Sequence, residues 1–493
     1  MYSGYGFRDF EIGDVDVIKF NGLFHLFHLT LPNHAYIAHA VSKDGFKWKR
    51  VKNAVFISDP PTWDDDMLWT MHVSPNPYKP GSWRMFYTGL CMGDRSRIQR
   101  IGLALSDDLY NWEKSKSDSY PVEVKGMIYE SSIKQGRHWV SFRDPFCYCE
   151  DEKVFLLAAG RVNKGPVIRR GCVALVEEKN ENKFEFKPPL FQPMHYDDVE
   201  VPNLFKLNGR YYLIGSIRED VKVHYWWSDK FKGPYQNFAD NVLLPQGNYA
   251  ARISKEGERY LIWNFFFKGR TTKGKHLMAP PKELVVDENS ELRLKTYKGF
   301  DNLVSHVQEF SKITPLKTLY NNSNASSKIK NLNFVIDCSS GFEAFLLKGI
   351  YKNFILTGEL ITEDRGKYGL VFRINREGDG YYLSLDFFKG IVQLRAWGRN
   401  PHGEVEEAFT YKQLQVANYI PKEGPHPFCL IAYDQYLEFS LNGYILLTLA
   451  DDQYEKGNLG FYIENARLRI NNPKLKICGK LKANNYPKHI PNF

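Results

Sequence analysis

Short runs of apolar and aromatic residues alternate with polar turns over roughly the first 300 residues of the chain. One unit recurs there: a turn with Gly, an aromatic-rich strand, a second strand, and a polar turn followed by an aromatic residue. Its first copy begins at Asn21 and reads "NGLFHLFHLTLPNHAYIAHAVSKDGFKWKR". Gly, Asn and Asp between such runs are typical of turns that close paired strands, so the pattern predicts antiparallel β-hairpins.

The same unit returns four more times. The copies begin at Gly81 ("GSWRMFYTGL"), Asp151 ("DEKVFLLAAGR"), Asn208 ("NGRYYLIGSIRED") and Gly257 ("GERYLIWNFFFKG"). Five repeats of roughly fifty residues, each with a few antiparallel strands, predict a five-bladed β-propeller. A β-sandwich and an irregular β-domain are the alternatives that the pattern leaves open.

The second part of the chain has a different pattern. Residues 306–330, which contain "NNSNASSK", are polar and are predicted to be a linker. Beyond them, stretches such as "FCLIAYDQYLEFSLNGYILLTLADD" alternate apolar and polar residues across Gly-containing turns, which predicts a β-sandwich over 331–493. The chain is therefore predicted to be all-β, with the propeller over 1–305. The sandwich either binds carbohydrate or braces the propeller, and we favour the brace because no acid cluster or aromatic row stands out.

The amino-acid composition limits the classes of binding partner that are expected. Aromatic residues make up 15% of the 493 residues, which suits strands and also the stacking of rings on sugars. The net charge of +9 comes from scattered basic residues without a nucleic-acid-binding motif, so no nucleic-acid partner is expected. No apolar stretch approaches the ~20 residues of a membrane span, so no membrane partner is expected either. The oligomeric state is left open.

The cysteines and the first residues bear on the compartment. The seven cysteines are widely spaced, and Cys147 and Cys149 have no matching second pair, so we expect reduced thiols and no zinc site. "MYSGYG" lacks a basic start followed by an apolar run, so no signal peptide is expected. We expect a soluble, cytoplasmic protein, or a secreted one if a leader has been removed.

Five residues precede the turns of the five hairpins by seven to eleven positions. They are Asp14, Thr70, Asp144, Glu200 and Tyr249. In a propeller, the strand before each outward-running hairpin lines the central channel, so equivalent positions of successive blades converge on one pocket. Acids also occupy strand ends for local hydrogen bonds, but three in register favour a functional pocket.

Carboxylates that share a pocket repel each other, so their pKa values separate. One can remain ionised as a nucleophile while another holds a proton as general acid, which is what glycoside hydrolysis requires. Arg143, in "SFRDPF", is expected to keep Asp144 ionised or to hold a sugar hydroxyl. Further candidates for stacking or hydrogen bonding to substrate are Trp69, His72, Tyr249 and Trp263.

These motifs resemble those of glycoside hydrolase family 32, the invertase and fructanase group, and of its relative family 43. "FRDPF" resembles the family's Arg-Asp-Pro motif, and "EVPNLF" resembles its Glu-Cys-Pro-Asp/Asn-Leu-Phe motif. "LWTMHVSPNP" with "WRMFYTG", "GNYAARISKEGERYLIWNF" and "MAPPKELVVDENSELRLKTYKGFDNL" resemble the second-blade, fifth-blade and closing segments. The resemblance covers essentially the first 305 residues and implies a propeller followed by a lectin-like sandwich.

The resemblance also implies roles. Glu200 would be the general acid/base and Asp144 would stabilise the transition state through sugar hydroxyls. Trp69, Thr70, His72, Arg143, Asn203, Tyr249 and Trp263 are the expected substrate-binding residues. With Asp144 and Glu200 given these roles and the first-blade acid taken as the nucleophile, no metal and no cofactor are expected.

The first blade departs from the family. The family's signature is Asn-Asp-Pro-Asn-Gly, with the Asp as nucleophile, whereas this chain has "EIGDVDVIKFNG". Asp14 fits the spacing to Gly22 best, and Asp16 is the rival because alternation places it on the same strand face. The expected activity is hydrolysis of furanosides, foremost β-fructofuranosides such as sucrose, fructo-oligosaccharides or fructans. An arabinofuranosidase or other furanosidase, or a non-catalytic sugar-binding protein, is the alternative.

Overall fold

A computed structural model describes residues 1–4, 11–267, 276–309, 312–316, 322–330, 333–362, 366–399, 409–480, 486 and 490. The chain divides into two compact units. The first contains Tyr2–Phe267 and His276–Arg293, and the second contains Leu294–Lys482. Tyr486 and Ile490 belong to the first unit, where Ile490 packs on Leu23, Val41 and Val51.

Five antiparallel sheets follow one another along the first part of the chain. Blade I contains β1 (Glu11–Phe20), β2 (Leu23–Leu31), β3 (Tyr36–Ser42) and β4 (Lys49–Phe56). Blade II contains β5 (Met67–Pro75), β6 (Trp83–Leu90), β7 (Arg100–Ser106) and β8 (Glu113–Lys114). Blade III contains β9 (Phe142–Glu150), β10 (Lys153–Arg161), β11 (Gly171–Asn180) and β12 (Lys183–Phe191).

The last two sheets complete the set. Blade IV contains β13 (Glu200–Leu207), β14 (Arg210–Ile217), β15 (Lys222–Ser228) and β16 (Val242–Leu244). Blade V contains β17 (Asn248–Glu256), β18 (Arg259–Phe266), β19 (Leu277–Met278), β20 (Lys282–Val286) and β21 (Leu292–Thr296). The first strands contact one another in the order β1, β5, β9, β13, β17 and back to β1, which closes the ring. The predicted five-bladed propeller is thus confirmed.

Burial follows the position of a strand in its blade. The second strands β2, β6, β10 and β14 are buried along nearly their whole length, because both faces are covered. The last strand of blade III, β12, is mostly exposed or half-buried. The two-residue turns Asn21–Gly22 and Asn208–Gly209 have positive φ at both positions (47° and 76°, 50° and 84°). Asn-Gly suits such hairpin turns, so these sequence signals specify where the hairpins reverse.

The second unit holds a 13-stranded β-sandwich sheet. Its strands are β22 (Val304–Gln308), β23 (Ile313–Pro315), β24 (Ala325–Lys330), β25 (Asn333–Leu347), β26 (Phe354–Thr362), β27 (Lys367–Ile374), β28 (Gly380–Asp386), β29 (Ile391–Arg399), β30 (Phe409–Asn418), β31 (His426–Tyr433), β32 (Tyr436–Leu441), β33 (Tyr444–Ala450) and β34 (Asn458–Cys478). The long β34 pairs with β25, β26 and β27, and so joins the two halves of the sandwich. The predicted sandwich is confirmed.

Part of the stretch predicted as a linker is built into this sheet. β24 pairs with β25, β23 pairs with β25, and β22 pairs with β34. Backbone pairing with long neighbouring strands therefore outweighs the polar composition of 306–330. Residues 310–311 and 317–321 lie outside the described part of the chain.

The sandwich contains a row of aromatic rings that the sequence analysis did not find, with Tyr382 and Tyr462 buried and the other three exposed. Successive ring centroids are 5.0, 5.2, 5.9 and 5.7 Å apart along Tyr411, Trp397, Tyr382, Tyr462 and Phe342. The row escapes a reading of the sequence because its rings come from five different strands. The bracing role of the sandwich stays a prediction.

Helical structure is limited to three short 3-10 helices in the described residues: Met92–Asp94, Val167–Arg169 and Lys298–Leu303. No helix found there has the length and apolar character to cross a membrane. All seven cysteines are free thiols.

Candidate active site

Each first strand of the propeller has a β-bulge near its beginning. Asp14 lies in the bulge of β1, Thr70 in that of β5, and Asp144 in that of β9. Glu200 and Tyr249 directly precede the bulges of β13 and β17. A bulge redirects side chains and breaks the ladder locally. All five residues predicted from spacing therefore lie in the first four positions of their strands, at or beside the bulges that redirect side chains.

Asp14 and Thr70 connect the first two blades. The Thr70 hydroxyl donates a hydrogen bond to Oδ2 of Asp14. Burial, followed by the negative charge of Asp144, raises the pKa of Asp14 to about 7, although the Thr70 bond opposes the rise and Glu200 adds to it. Asp14 is thus a carboxyl group that changes charge near neutral pH.

Asp144 is held by its neighbours on both sides. Its backbone N–H donates to Oγ1 of Thr88 at 3.1 Å, and its Oδ2 accepts from the backbone N–H of Val201 at 3.0 Å. Its φ of 59° is unusual for a residue with a side chain and fits the bulge. Burial raises the pKa of Asp144, while the positive charge of Arg143 opposes the rise.

Glu200 receives three donors. Its Oε1 lies 2.6 Å from Nη2 of Arg143 and 2.7 Å from Nη2 of Arg218, and its Oε2 accepts from the Tyr249 hydroxyl. Burial and the charge of Glu200 raise the pKa of Tyr249 far above its usual range, so the phenol remains a donor. Both oxygens of the carboxyl group are therefore occupied.

The acidic residues before Glu200 orient its arginine partner. Asp198 Oδ2 accepts from Nη2 of Arg143 at 3.0 Å and from Nη2 of Arg137 at 2.9 Å. Burial alone would raise the pKa of Asp198, but these two guanidinium groups outweigh it and lower the pKa. Asp197 in turn binds Arg137 and Arg161. The acidic triplet of "DDVEVPN" thus supplies two anchors for arginines and one candidate acid/base.

A central arginine, which the sequence analysis missed, joins four blades. Arg252 of blade V is fully buried and donates to the carbonyl oxygens of Pro202 at 2.9 Å, Pro145 at 2.8 Å and Met71 at 3.3 Å. These acceptors lie in or beside the bulges of β13, β9 and β5, where carbonyl groups lack ladder partners. Its one signal in the sequence is an arginine that directly follows Tyr249, Ala250 and Ala251 in a first strand.

Asp16 and His72 lie together in the interior. Asp16, 2% exposed, accepts from the backbone N–H of Val73 at 2.5 Å, and its Oδ2 is 3.2 Å from Nδ1 of His72. His72 stacks on Phe146 with centroids 4.3 Å apart. Asp16 is therefore committed to the backbone of β5, which favours Asp14 as the reacting group. Trp69 stays half-buried beside the β5 bulge.

Two predicted substrate contacts are interior residues instead. Asn203 is fully buried and its Nδ2 donates to the carbonyl oxygens of Val201 and Ala251, both at 2.8 Å. Trp263 is also fully buried, and its Nε1 donates to Oγ of Ser254 at 2.8 Å. Neither side chain offers a face to a ligand, because packing between adjacent blades covers both.

The described residues contain no group of three or more His, Cys, Asp and Glu side chains arranged to hold a metal ion. The carboxyl groups at the bulges are instead engaged by hydroxyl, amide and guanidinium donors. The chemistry that this arrangement supports is proton transfer and nucleophilic attack by carboxyl groups.

Comparison with known proteins agrees with this geometry. Residues 15–293 match the sequence model described as "Glycosyl hydrolases family 32 N-terminal domain". No curated protein sequence gives a match.

Similar solved structures share 13–14% identity with this chain. They include exo-inulinase from Aspergillus awamori (TM-score 0.69; 95% of this chain and 96% of that chain covered) and fructan 1-exohydrolase IIa from Cichorium intybus (TM-score 0.69; 98% and 98%). Bombyx mori β-fructofuranosidase is similar as well (TM-score 0.67; 95% and 91%), and a mutant of it has been solved with sucrose. At this identity the likeness shows the fold.

Proposed function

Because the chain belongs to glycosyl hydrolase family 32 and is a glycoside hydrolase, we propose that it cleaves β-fructofuranosides such as sucrose, fructo-oligosaccharides or fructans. The observation that carries the proposal is the arrangement of Asp14, Asp144 and Glu200 at or beside the bulges of three first strands of one closed ring. The names of the similar structures, a β-fructofuranosidase, an exo-inulinase and a fructan exohydrolase, support the same sugar.

In the proposed reaction, a carboxylate oxygen of Asp14 attacks the anomeric carbon of the fructosyl unit. Glu200 gives its proton to the glycosidic oxygen, and the leaving sugar departs. Glu200 then takes a proton from water, the water attacks the anomeric carbon, and Asp14 is released. Asp144 accepts hydrogen bonds from the fructosyl hydroxyls as positive charge develops. Two displacements at one carbon give retention of configuration.

The substrate is tested by incubating the protein with a panel of fructosides and arabinofuranosides and separating the products by chromatography. Release of fructose from the fructosides alone is the expected result. Release of arabinose alone would replace the proposed sugar, and binding without turnover on every substrate would leave a sugar-binding protein.

The roles are tested by single substitutions. Glu200→Ala should lose most turnover but recover part of it on substrates with good leaving groups or with added azide, because the general acid is then less needed. Asp14→Ala should show no such recovery, since a nucleophile is needed whatever departs, and Asp144→Asn should weaken both binding and turnover. Near-normal activity of Asp14→Ala together with an inactive Asp16→Ala would transfer the nucleophile to Asp16.

One observation favours a second furanoside. Gly13 precedes Asp14 where the family has Asn, and a Cβ at Gly13 would lie 2.9 Å from Cβ of Leu29. The packing of β2 therefore excludes a side chain there, and the amide that would hold the sugar is missing. An arabinofuranoside is the second candidate, and the same substrate panel decides between them.

A further inference from the structure

The three donors on Glu200 differ in how free they are to move. The side chain of Arg143 is 5% exposed, and Tyr249 is 8% exposed. The side chain of Arg218, from the turn between β14 and β15, is 70% exposed. One donor is thus a surface side chain whose guanidinium reaches into a buried carboxyl group.

One of these donors has to give way during the proposed reaction. A general acid must bring a carboxyl oxygen within about 2.6–3.2 Å of the atom that it protonates. Both oxygens of Glu200 are already hydrogen-bonded, Oε1 to Arg143 and Arg218 and Oε2 to Tyr249. Because the two guanidinium groups fill both lone-pair positions of Oε1, that oxygen can hold a proton and pass it to a glycosidic oxygen only if one of them leaves.

Arg143 and Tyr249 are fixed by further contacts. Arg143 also donates to Asp198 at 3.0 Å and to Gln99 at 3.3 Å. The ring of Tyr249 packs against Phe267 with centroids 5.5 Å apart. Tyr249 also packs edge-on against the buried ring of Phe265, with centroids 6.3 Å apart, so neither side chain can leave without breaking these contacts.

The turn that carries Arg218 is held independently of its side chain. Oε1 of Glu219 accepts from the backbone N–H of Asp197 at 2.8 Å, and Oδ2 of Asp220 lies 2.9 Å from Nε2 of His224. The guanidinium of Arg218 can therefore swing while its backbone stays in place.

We propose that Arg218 binds Glu200 in the free enzyme and moves onto the leaving-group sugar when substrate enters. In the first position it occupies Oε1 of Glu200. In the second, its N–H groups donate to hydroxyls of the departing sugar, which makes it a specificity-determining residue for the leaving group. The inference rests on the proposed acid/base role of Glu200.

The pH dependence of the two kinetic constants separates these positions. The profile of kcat/KM reports the free enzyme, and the profile of kcat reports the enzyme–substrate complex. The charged or titratable groups around Glu200 are Arg143 and Asp144 of β9, Arg218, Tyr249 of β17 and Asp14 of β1. Since Arg218 alone changes place, Arg218→Ala should move the alkaline limb of kcat/KM on sucrose upward by about one pH unit and leave that of kcat unchanged.

The leaving group supplies a second readout. KM for sucrose should rise about tenfold in Arg218→Ala, the loss typical of a charged hydrogen bond. KM for an aryl β-fructofuranoside, whose leaving group has no sugar hydroxyls, should change less than about twofold. Arg218→Lys should fall between wild type and Arg218→Ala. The matched control is Arg210→Ala, at the other end of β14, where Arg210 pairs with Asp229 at 3.1 Å; it should change neither readout.

Three results would overturn the inference. If both alkaline limbs move, Arg218 stays on Glu200 in the complex. If neither moves, Arg218 does not act on Glu200. An equal rise of KM on both substrates would show that Arg218 does not contact the leaving-group sugar. Wild-type enzyme that is inert on both substrates would be the failure of the proposed function itself, which is seen before any variant is made.

Discussion

Asp14 has a property that sets it apart from an ordinary surface carboxylate. Burial and the charge of Asp144 raise its pKa to about 7, from a usual value of 3.8. A nucleophile must be ionised to attack, so the group that the mechanism needs as an anion is protonated in mildly acidic solution. The activity should therefore depend on pH in the neutral range.

The value of kcat/KM should fall as the pH decreases below about 7, because Asp14 then takes up a proton. Asp144→Asn removes the charge that disfavours ionisation of Asp14, so the acid limb of its remaining activity should move to lower pH. The pH profile of kcat/KM measures both effects. Asp107→Asn, at the exposed ion pair with Lys79, is the control and should keep the wild-type limb. An acid limb near pH 4 in wild type would contradict the assignment.

Spacing in the sequence was sufficient to place Asp14, Asp144 and Glu200 near the beginnings of first strands, because each precedes a recognisable hairpin turn. The same reasoning could not find Arg218 or Arg252. Their partners lie on other strands or other blades, and only the pairing of strands and the closure of the ring bring them together. Short motifs identify groups that repeat, whereas single cross-blade contacts leave no periodic signal.

At the scale of the strand, the bulges force unusual backbone angles on ordinary residues. Val201 has φ 49° and Ala250 has φ 48°, and both are buried. For a residue with a Cβ this region costs roughly 1–2 kcal/mol. The first strands thus tolerate strain directly after Glu200 and Tyr249, two of the proposed site residues, and backbone strain is common at functional sites.

A pair of neighbouring alanines measures this strain. Ala250→Gly should leave the free energy of unfolding unchanged or raise it by about 0.5–1 kcal/mol, because Gly adopts positive φ freely. Ala251→Gly changes the same atoms at a buried neighbour without positive φ and should lower the free energy of unfolding by about 0.5–1 kcal/mol. Urea denaturation measures both. An equal decrease in the free energy of unfolding of the two variants would show that Ala250 is not strained.

The strands and turns follow from local signals, since Asn-Gly at Asn21 and Asn208 reverses the chain where expected. The bulges do not follow from them. A bulge is defined by two residues facing one on a partner strand, so it depends on the register between strands. The pairing of β22, β23 and β24 within the polar stretch 306–330 has the same origin, because a long neighbouring strand supplies the hydrogen bonds.

At the scale of the whole molecule, blade I contains buried imidazoles that make folding sensitive to acid. Nδ1 of His25 lies 3.1 Å from Nε2 of His39, and both rings are buried. Burial lowers the pKa of His25 from 6.5 to about 4, and it lowers that of His39 further. The unfolded chain therefore binds protons at a higher pH than the folded chain does.

Acid should consequently destabilise the protein between pH 6.5 and pH 4, where His25 takes up a proton only in the unfolded chain. The contribution of His25 to stability is fully present above pH 6.5 and is lost as the pH falls toward 4, so at pH 5 the loss is about 2 kcal/mol. His25→Phe should lose less stability between pH 7 and pH 5 than wild type, as measured by urea midpoints. His306→Phe, at an exposed histidine, should lose as much stability between pH 7 and pH 5 as wild type does. The same loss in His25→Phe as in wild type would contradict the prediction.

The ring of first strands has a consequence for how the enzyme can diverge. Each blade contributes one residue from the beginning of its first strand. These residues come from five strands that are distant in sequence: Asp14, Thr70, Asp144, Glu200 and Tyr249. A change in one short segment can therefore alter one side of the proposed sugar site while the residues of the other four blades keep their places. The first blade already illustrates this, since "EIGDVDVIKF" has lost the family's framing residues and still carries its carboxyl group. A new substrate preference can therefore arise by substitutions in a single blade, without changes in the other four.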